Sequence, residues 1–201
     1  SFDNQRPPPV YWPQRDHTEG GFVMRLETER LVLRPWEKSD AEALYEIAKD
    51  PRVGPAAGWK PHQNLAESYR VIGDVLIAPE NYAIILKATG ELLGSMGLRF
   101  PGDSNLPLQK GEAELGGWLG VPYWGQEYAL EAARAIVQHG FDELGLSRIY
   151  GCSFTDNEKS DRLQAKLGFR YRRTEEHHYC PQLDVYRPVN VRVLVNPELE
   201  I

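Results

Sequence analysis

From Arg25 onward, apolar and polar positions alternate in short strand-like runs, and between them lie stretches with apolar residues three and four apart. Leu31-Val32-Leu33-Arg34-Pro35-Trp36 reads as a strand. Ser39-Asp40 caps a helix that runs to about Ala48, with Glu42 three residues beyond Ser39, and Asp50-Pro51 stops it. Residues 51–63 hold Gly54, Pro55, Gly58 and Pro61 and read as a loop. Asn64 to about Leu76 predicts a second helix. Tyr82-Ala83-Ile84-Ile85-Leu86 is a buried strand, Thr89-Gly90 a hairpin turn, and Leu92 to Phe100 the returning strand. A polar loop, 101–110, leads to a strand over 111–119 and a long helix over roughly 127–144. Arg148 to Phe154 reads as a strand, and Asn157 to Leu167 as a helix closed by Gly168. Phe169 to Arg173 and Asp184 to Val195 form a final antiparallel pair. The order β-α-α-β-β-β-α-β-α-β-β is an α/β (α+β) chain with a mixed sheet and helices on both faces.

Residues 1–23 differ. Pro7, Pro8, Pro9 and Pro13 surround Val10, Tyr11 and Trp12, and Gly20-Gly21 follows. Such a segment reads as an extended arm with Tyr11 and Trp12 as anchors, and Met24 offers an alternative start. Residues 24–201 are then one domain, and the arm and the terminal strand make a homodimer an expectation.

Composition narrows the function. A net charge of −6 over 201 residues, with Lys and Arg scattered, argues against a nucleic-acid backbone as main partner. No apolar run approaches the ~18 residues of a membrane span, and no apolar leader is visible. Cys152 and Cys180 have no metal-like spacing, so a reducing, cytoplasmic compartment and no metal are expected.

The densest signal is Gly111 to Ala133. A strand ending at Leu119, a turn holding Gly120, Pro122 and Gly125, and a fresh helix from about Glu127 make an anion site. A ligand with a pyrophosphate suits it. Gly116, Gly117 and Gly120 permit close approach of the backbone to that ligand.

Three motifs in order resemble the GNAT superfamily of acyl-CoA-dependent N-acyltransferases, and most closely the branch that acetylates the N-termini of ribosomal proteins. They are Glu29-Arg30-Leu31-Val32-Leu33-Arg34-Pro35, the run from Ala113-Glu114-Leu115-Gly116 through Ala129, and Asn157-Glu158-Lys159-Ser160 leading to Lys166-Leu167-Gly168-Phe169. The resemblance covers about 26–190. It implies a mostly antiparallel central sheet flanked by helices, and acetyl-CoA as co-substrate. The acceptor would be a primary amine: a protein N-terminus, a polyamine or another small amine.

It also implies site residues. The strand 113–119, with Trp118 and Leu119, would hold the pantetheine arm through its backbone. Trp124-Gly125-Gln126-Glu127-Tyr128-Ala129 would cradle the pyrophosphate. Asn157 would bond the amide-rich arm, with helix N-cap as its ordinary role. Glu114 matches the position that removes the amine proton, with Glu175 and Glu176 as rivals, and Ser160 the position that protonates the departing thiolate. Tyr128 is a phenolic alternative whose ordinary place is packed on the long helix.

Glu127 departs from the family pattern, which has Gly there. If that position has φ > 0, a side chain costs roughly 1–2 kcal/mol. A carboxylate about 6 Å from a phosphate adds roughly 0.7–3 kcal/mol of repulsion. The sum weakens coenzyme A binding about tenfold or more; a Glu pointing to solvent costs far less. The alternative to a working enzyme is a binding module of the same fold that has lost turnover through Glu127. Trp59, Lys60 and His62 fall in the loop that rims the acceptor site in relatives, where an exposed His is ordinarily just solvated. His177-His178 reads as a surface pair rather than a metal site, and Cys152 as a core residue.

Overall fold

The computed structural model describes residues 25–199. The Pro-rich arm, with Tyr11 and Trp12, lies outside the described residues. The strands are β1 (Leu26–Glu27), β2 (Leu31–Pro35), β3 (Asn81–Leu86), β4 (Leu92–Arg99), β5 (Glu112–Leu119), β6 (Arg148–Phe154), β7 (Arg170–Cys180) and β8 (Val185–Val195). They form one eight-stranded sheet in the order β1-β2-β3-β4-β5-β6-β8-β7. All neighbours run antiparallel except β5 and β6, which are parallel. The mixed, mostly antiparallel sheet with helices on both faces is therefore present as expected.

The long helix α4 (Tyr128–Asp142) covers one face, where Ala132, Ala133 and Ile136 meet Leu31, Leu33, Met96, Leu98, Ala113 and Leu115. On the other face α1 (Ala41–Ala48) and the segment after it close over Trp36, Ala83 and Leu92. Further along that second face, Leu106 from the 101–110 loop packs on Phe154, Val189 and Val191. Helix α5 (Glu158–Leu167) starts at Asn157, whose side chain accepts the Ser160 N–H, and ends in Gly168 at φ 89°. Both terminal signals were read correctly.

Several local expectations need correction. The Ser39–Glu42 capping box does not form. A 3-10 turn at Lys38–Asp40 precedes α1, and the Asp40 carboxylate takes the Glu37 N–H at 2.9 Å and both arms of the Arg34 guanidinium. The 51–63 loop contains a short helix, α2 (Gly54–Ala57), with Pro55 in its first turn and Gly58 closing it at φ 97°. The second long helix is α3 (Leu65–Val71), capped by Asn64, and its last part (Ile72–Leu76) is wound as a π-turn. β7 runs on to Cys180 instead of stopping at Arg173, so Glu175, Glu176, His177 and His178 lie within a strand. β7 is an edge strand with two register shifts against β8. The terminal strand β8 is paired on both sides, to β6 and β7, and so offers no free edge of its own.

Candidate active site

The site begins where two parallel strands part. β5 and β6 pair from Glu112–Arg148 to Leu115–Gly151. Beyond that rung β5 continues to Leu119 and β6 to Phe154 with no ladder between them. The other edge of β5 stays paired to β4 throughout Gly116–Leu119. Backbone N–H and C=O groups on the open edge of β5 therefore face the gap and can bind an amide-bearing ligand laid along it.

At the mouth of the gap stands the turn read as an anion site. Gly125 (φ 80°) and Glu127 (φ 61°) are both left-handed, which turns successive N–H groups inward ahead of the α4 N-terminus. A clamp from the first strand shapes this turn. The Arg30 guanidinium donates to the Gln126 carbonyl at 3.0 Å and to Glu131 at 2.8 Å, and lies 4.4 Å from the Tyr128 ring centre. The Thr28 hydroxyl donates to the same Glu131 carboxylate. Burial would raise the pKa of Glu131, but its Thr28 and Arg30 hydrogen bonds outweigh burial and hold it below the usual carboxylate range. Arg30 of the first motif thus fixes the turn ahead of α4 from a distant strand. Tyr128 is buried, with its hydroxyl on the Gln126 side chain, and so packs as its ordinary reading expects.

Glu127 adopts the φ > 0 conformation that makes a side chain costly there. Its carboxylate, however, pairs with Lys166 at 2.5 Å, and that bond lowers its pKa. Nearby, the Lys159 ammonium sits 3.0 Å above the Trp124 ring. Burial, with Arg162 and Arg52 close by, holds the Lys159 pKa below its ordinary value. Trp124 itself donates its indole N–H to the Leu119 carbonyl at 3.0 Å, closing the turn onto β5. Lys159 and Lys166 thus both stand beside the turn.

On the α1 side of the sheet, Glu114, Gly116 and Trp118 follow one another along β5. A methyl group added to Gly116 would meet nothing within 4 Å, so open space lies between the Glu114 and Trp118 side chains. Glu114 accepts the Ser104 hydroxyl at 2.5 Å. Its neighbour Glu112 does not extend a solvated face. It is buried and held by the Gln109 N–H and by Arg148. Trp118 lies 6.0 Å from Trp36 in a tilted contact and edge-on at 5.4 Å to Trp59, so its ring packs on the α1 side of the sheet. Leu119 likewise packs its side chain into the core beside α4.

His62 is not a solvated loop histidine. It is buried, 5.3 Å from Trp59, with Nδ1 2.8 Å from the hydroxyl of fully buried Ser68. Burial pushes its pKa below the ordinary value, so the ring is neutral at pH 7. Glu175 is engaged by Arg173 at 2.8 Å and His178 at 2.7 Å, and Glu176 is exposed. Burial, with Glu114 and Glu175 adding to it, pushes the Cys152 thiol up to about 12. It is a packing residue and no thiolate. Among the described residues, no His, Cys, Asp or Glu cluster could hold a metal ion.

Asn157 and Ser160 stand at the N-terminal end of α5, where the Asn157 side chain accepts the Ser160 N–H at 3.1 Å. The Asn157 amide also donates to the Ala56 carbonyl at 3.3 Å, tying α2 to the start of α5. The Ser160 hydroxyl oxygen accepts from Gln164. Of the residues expected at a site, Glu114 lies on β5, Trp124 to Ala129 lie in the turn and at the start of α4, and Asn157 and Ser160 lie at the start of α5. Ser104 and Ser68, which touch Glu114 and His62, carry no local signal in the sequence.

A parted pair of parallel strands, a left-handed turn at a helix start and open space beside a carboxylate lie together at one end of β5. An acetyltransferase (GNAT) domain model matches residues 30–170. The chain belongs to the GNAT acetyltransferase family, whose members use acetyl-CoA. It is 31% identical over 150 residues to the uncharacterised N-acetyltransferase p20 of Bacillus licheniformis, covering 72% of this chain and 82% of that one. The fold is similar to a GNAT-family acetyltransferase from Bacillus anthracis (TM-score 0.73, 23% identity, 86% of this chain and 99% of that one). It is also similar to the ribosomal-protein-S5-alanine acetyltransferase from Vibrio fischeri (TM-score 0.63, 18% identity, 89% and 100%). Among the described residues no helix is long and apolar enough to cross a membrane.

Proposed function

We propose that this acetyltransferase moves an acetyl group from acetyl-CoA to a primary amine, a protein N-terminus or a small amine such as a polyamine, by direct attack of the amine on the thioester. The observation that carries this reading is the open space over Gly116, flanked by Glu114 and Trp118 at the point where β5 and β6 part. The residues present suit the co-substrate: a free strand edge for the amide arm, a left-handed turn for the pyrophosphate, and cations at the rim. When bound, acetyl-CoA supplies the activated acyl group.

The chain's own residues then divide the work. The open backbone edge of Gly116–Leu119 holds and polarises the donor. Glu114, fixed by Ser104, takes a proton from the amine. An α-amine with a pKa near 8 needs only mild help at neutral pH, and a lysine amine near 10.4 needs more. The Ser160 hydroxyl donates toward the departing sulfur. Trp59, Trp118 and His62 shape the acceptor side and exclude water. No covalent acyl-enzyme is called for, since a Cys152 thiol with a pKa of about 12 does not ionise at neutral pH.

The ion pair between Glu127 and Lys166 supports turnover over the module that has lost it, because it neutralises the charge that would repel phosphate. Isothermal titration with acetyl-CoA tests the donor half. Free-thiol release with peptides bearing a free N-terminus and with spermidine then tests the acceptor half. Micromolar binding followed by thiol release supports the enzyme. Binding without release for any amine supports the module. No binding removes the donor assignment.

A further inference from the structure

We infer that Gln164 is a further donor-binding residue, a buried amide at the apex of the gap that pairs with Ser160 on one side and with an amide of the pantetheine arm on the other. This rests on the acyl-CoA reading above and adds to it.

Gln164 lies one turn beyond Ser160 on α5 and is 5% exposed. Its amide lies flat against Gly151. A Cβ built on that glycine would stand 2.7 Å from Cδ, 2.8 Å from Oε1 and 2.9 Å from Nε2. Gly151 is also the partner of Leu115 in the last rung before β5 and β6 separate. The absence of a side chain at 151 therefore makes room for this amide at the point where the gap opens.

A primary amide can take part in about four hydrogen bonds. This one makes a single bond, from Nε2 to the Ser160 hydroxyl oxygen at 3.3 Å, and its buried Oε1 has no partner. Turning the amide over exchanges its two ends, yet one end stays empty in either orientation. A buried polar end without a partner costs stability, and an apolar side chain of like size would fill the same space. The polar end is explained by a ligand that brings the missing partner. The gap selects its chemistry: a chain laid along a strand edge, offering secondary amides. The pantetheine arm of coenzyme A carries two.

The experiment is isothermal titration of the full chain and its Gln164→Leu variant with coenzyme A and with adenosine 3′,5′-bisphosphate, the nucleotide part without the arm. The expected result is about tenfold weaker coenzyme A binding by the variant, the worth of one hydrogen bond to a buried partner, with nucleotide affinity unchanged within twofold. The melting temperature of the free variant should equal or exceed that of the native chain. Equal coenzyme A binding by both proteins would overturn the inference while leaving the acyl-CoA reading intact. So would an equal loss for both ligands, which marks general damage to the site. A native chain that binds neither ligand would remove the acyl-CoA reading and this inference together. Gln164→Met, which fills the space more adaptably, serves if the leucine variant does not fold.

Discussion

Glu127 and Lys166 join the start of α4 to the end of α5 through a carboxylate–ammonium contact of 2.5 Å. Both side chains are more than half exposed, at 60% and 53%, so the pair adds little to stability. Its consequence is local. The carboxylate that stands where the family pattern has Gly is drawn away from the turn and neutralised there. Lys166→Met should therefore weaken coenzyme A binding several-fold in the native background and much less in Glu127→Gly. Glu127→Gly alone should tighten binding by up to about threefold, the relief of residual repulsion, and raise the melting temperature, because the ~1–2 kcal/mol left-handed strain is already present in the free chain. Titration of the four proteins gives the coupling directly. Equal losses from Lys166→Met in both backgrounds would show instead that Lys166 contacts the donor itself.

Neighbouring glycines on the central strands should respond in opposite ways. A side chain at Gly116 meets open space, so Gly116→Val should leave the melting temperature unchanged or raised while filling the chamber and cutting turnover about a hundredfold. A Cβ at Gly117 would stand 2.4 Å from the Ser95 carbonyl oxygen, and one at Gly94 2.1 Å from that of Trp118. Gly117→Ala and Gly94→Ala should each destabilise by about 2 kcal/mol or more, seen in denaturant melts. A destabilised Gly116→Val would show that the chamber is not open.

The contrast also shows what could be read from sequence. The strands facing α4 carry alternating apolar residues, and Asn157 and Gly168 carry their capping chemistry on their face. β7 hid because it lies at the sheet edge, where Arg172, Glu176 and His177 face solvent and no burial imposes a period. Pro55 and Gly58 read as loop breakers although they start and stop α2. Ser104 and Gln164 were illegible for another reason: their roles come from what they touch, Glu114 in one case and Gly151 in the other. No pattern within one segment announces such contacts.

A buried ion pair anchors α4 near its C-terminal end. His139 Nε2 lies 2.9 Å from the Glu80 carboxylate, which also accepts the Tyr82 hydroxyl. Burial opposes charge on His139, but Glu80, with Glu143 adding, carries its pKa above the ordinary value. Burial likewise opposes charge on Glu80, and His139 and Tyr82 outweigh it and lower its pKa. The raised histidine stabilises fully below its unfolded pKa of about 6.5, and that contribution is lost as pH rises through the folded value. The depressed carboxylate contributes above its unfolded pKa of about 4.3, and that contribution is lost as pH falls through the folded value. The pair should therefore count most between about pH 5 and 6. His139→Gln should lower stability by about 3 kcal/mol in that window and by less at pH 8. Melts of both proteins across pH check this, and a difference that grows toward pH 8 would contradict it.

Glu114 and Ser104 make the sharpest test of the chemistry. If the carboxylate takes the amine proton, Glu114→Gln should lower kcat by about a hundredfold while leaving coenzyme A affinity unchanged, since the donor is held by backbone and by the turn. Ser104→Ala removes only the group that fixes the carboxylate, so about tenfold is expected. The pH dependence separates base catalysis from simple positioning. Toward the pKa of an α-amine, near 8, the acceptor deprotonates in solution and needs the carboxylate less. The gap between native and Glu114→Gln should narrow as pH rises from about 7 to 9. A constant gap across that range would mean that Glu114 acts on the already neutral amine, by positioning it and not by taking its proton. A loss of coenzyme A affinity in the variant would instead place the carboxylate on the donor side of the gap.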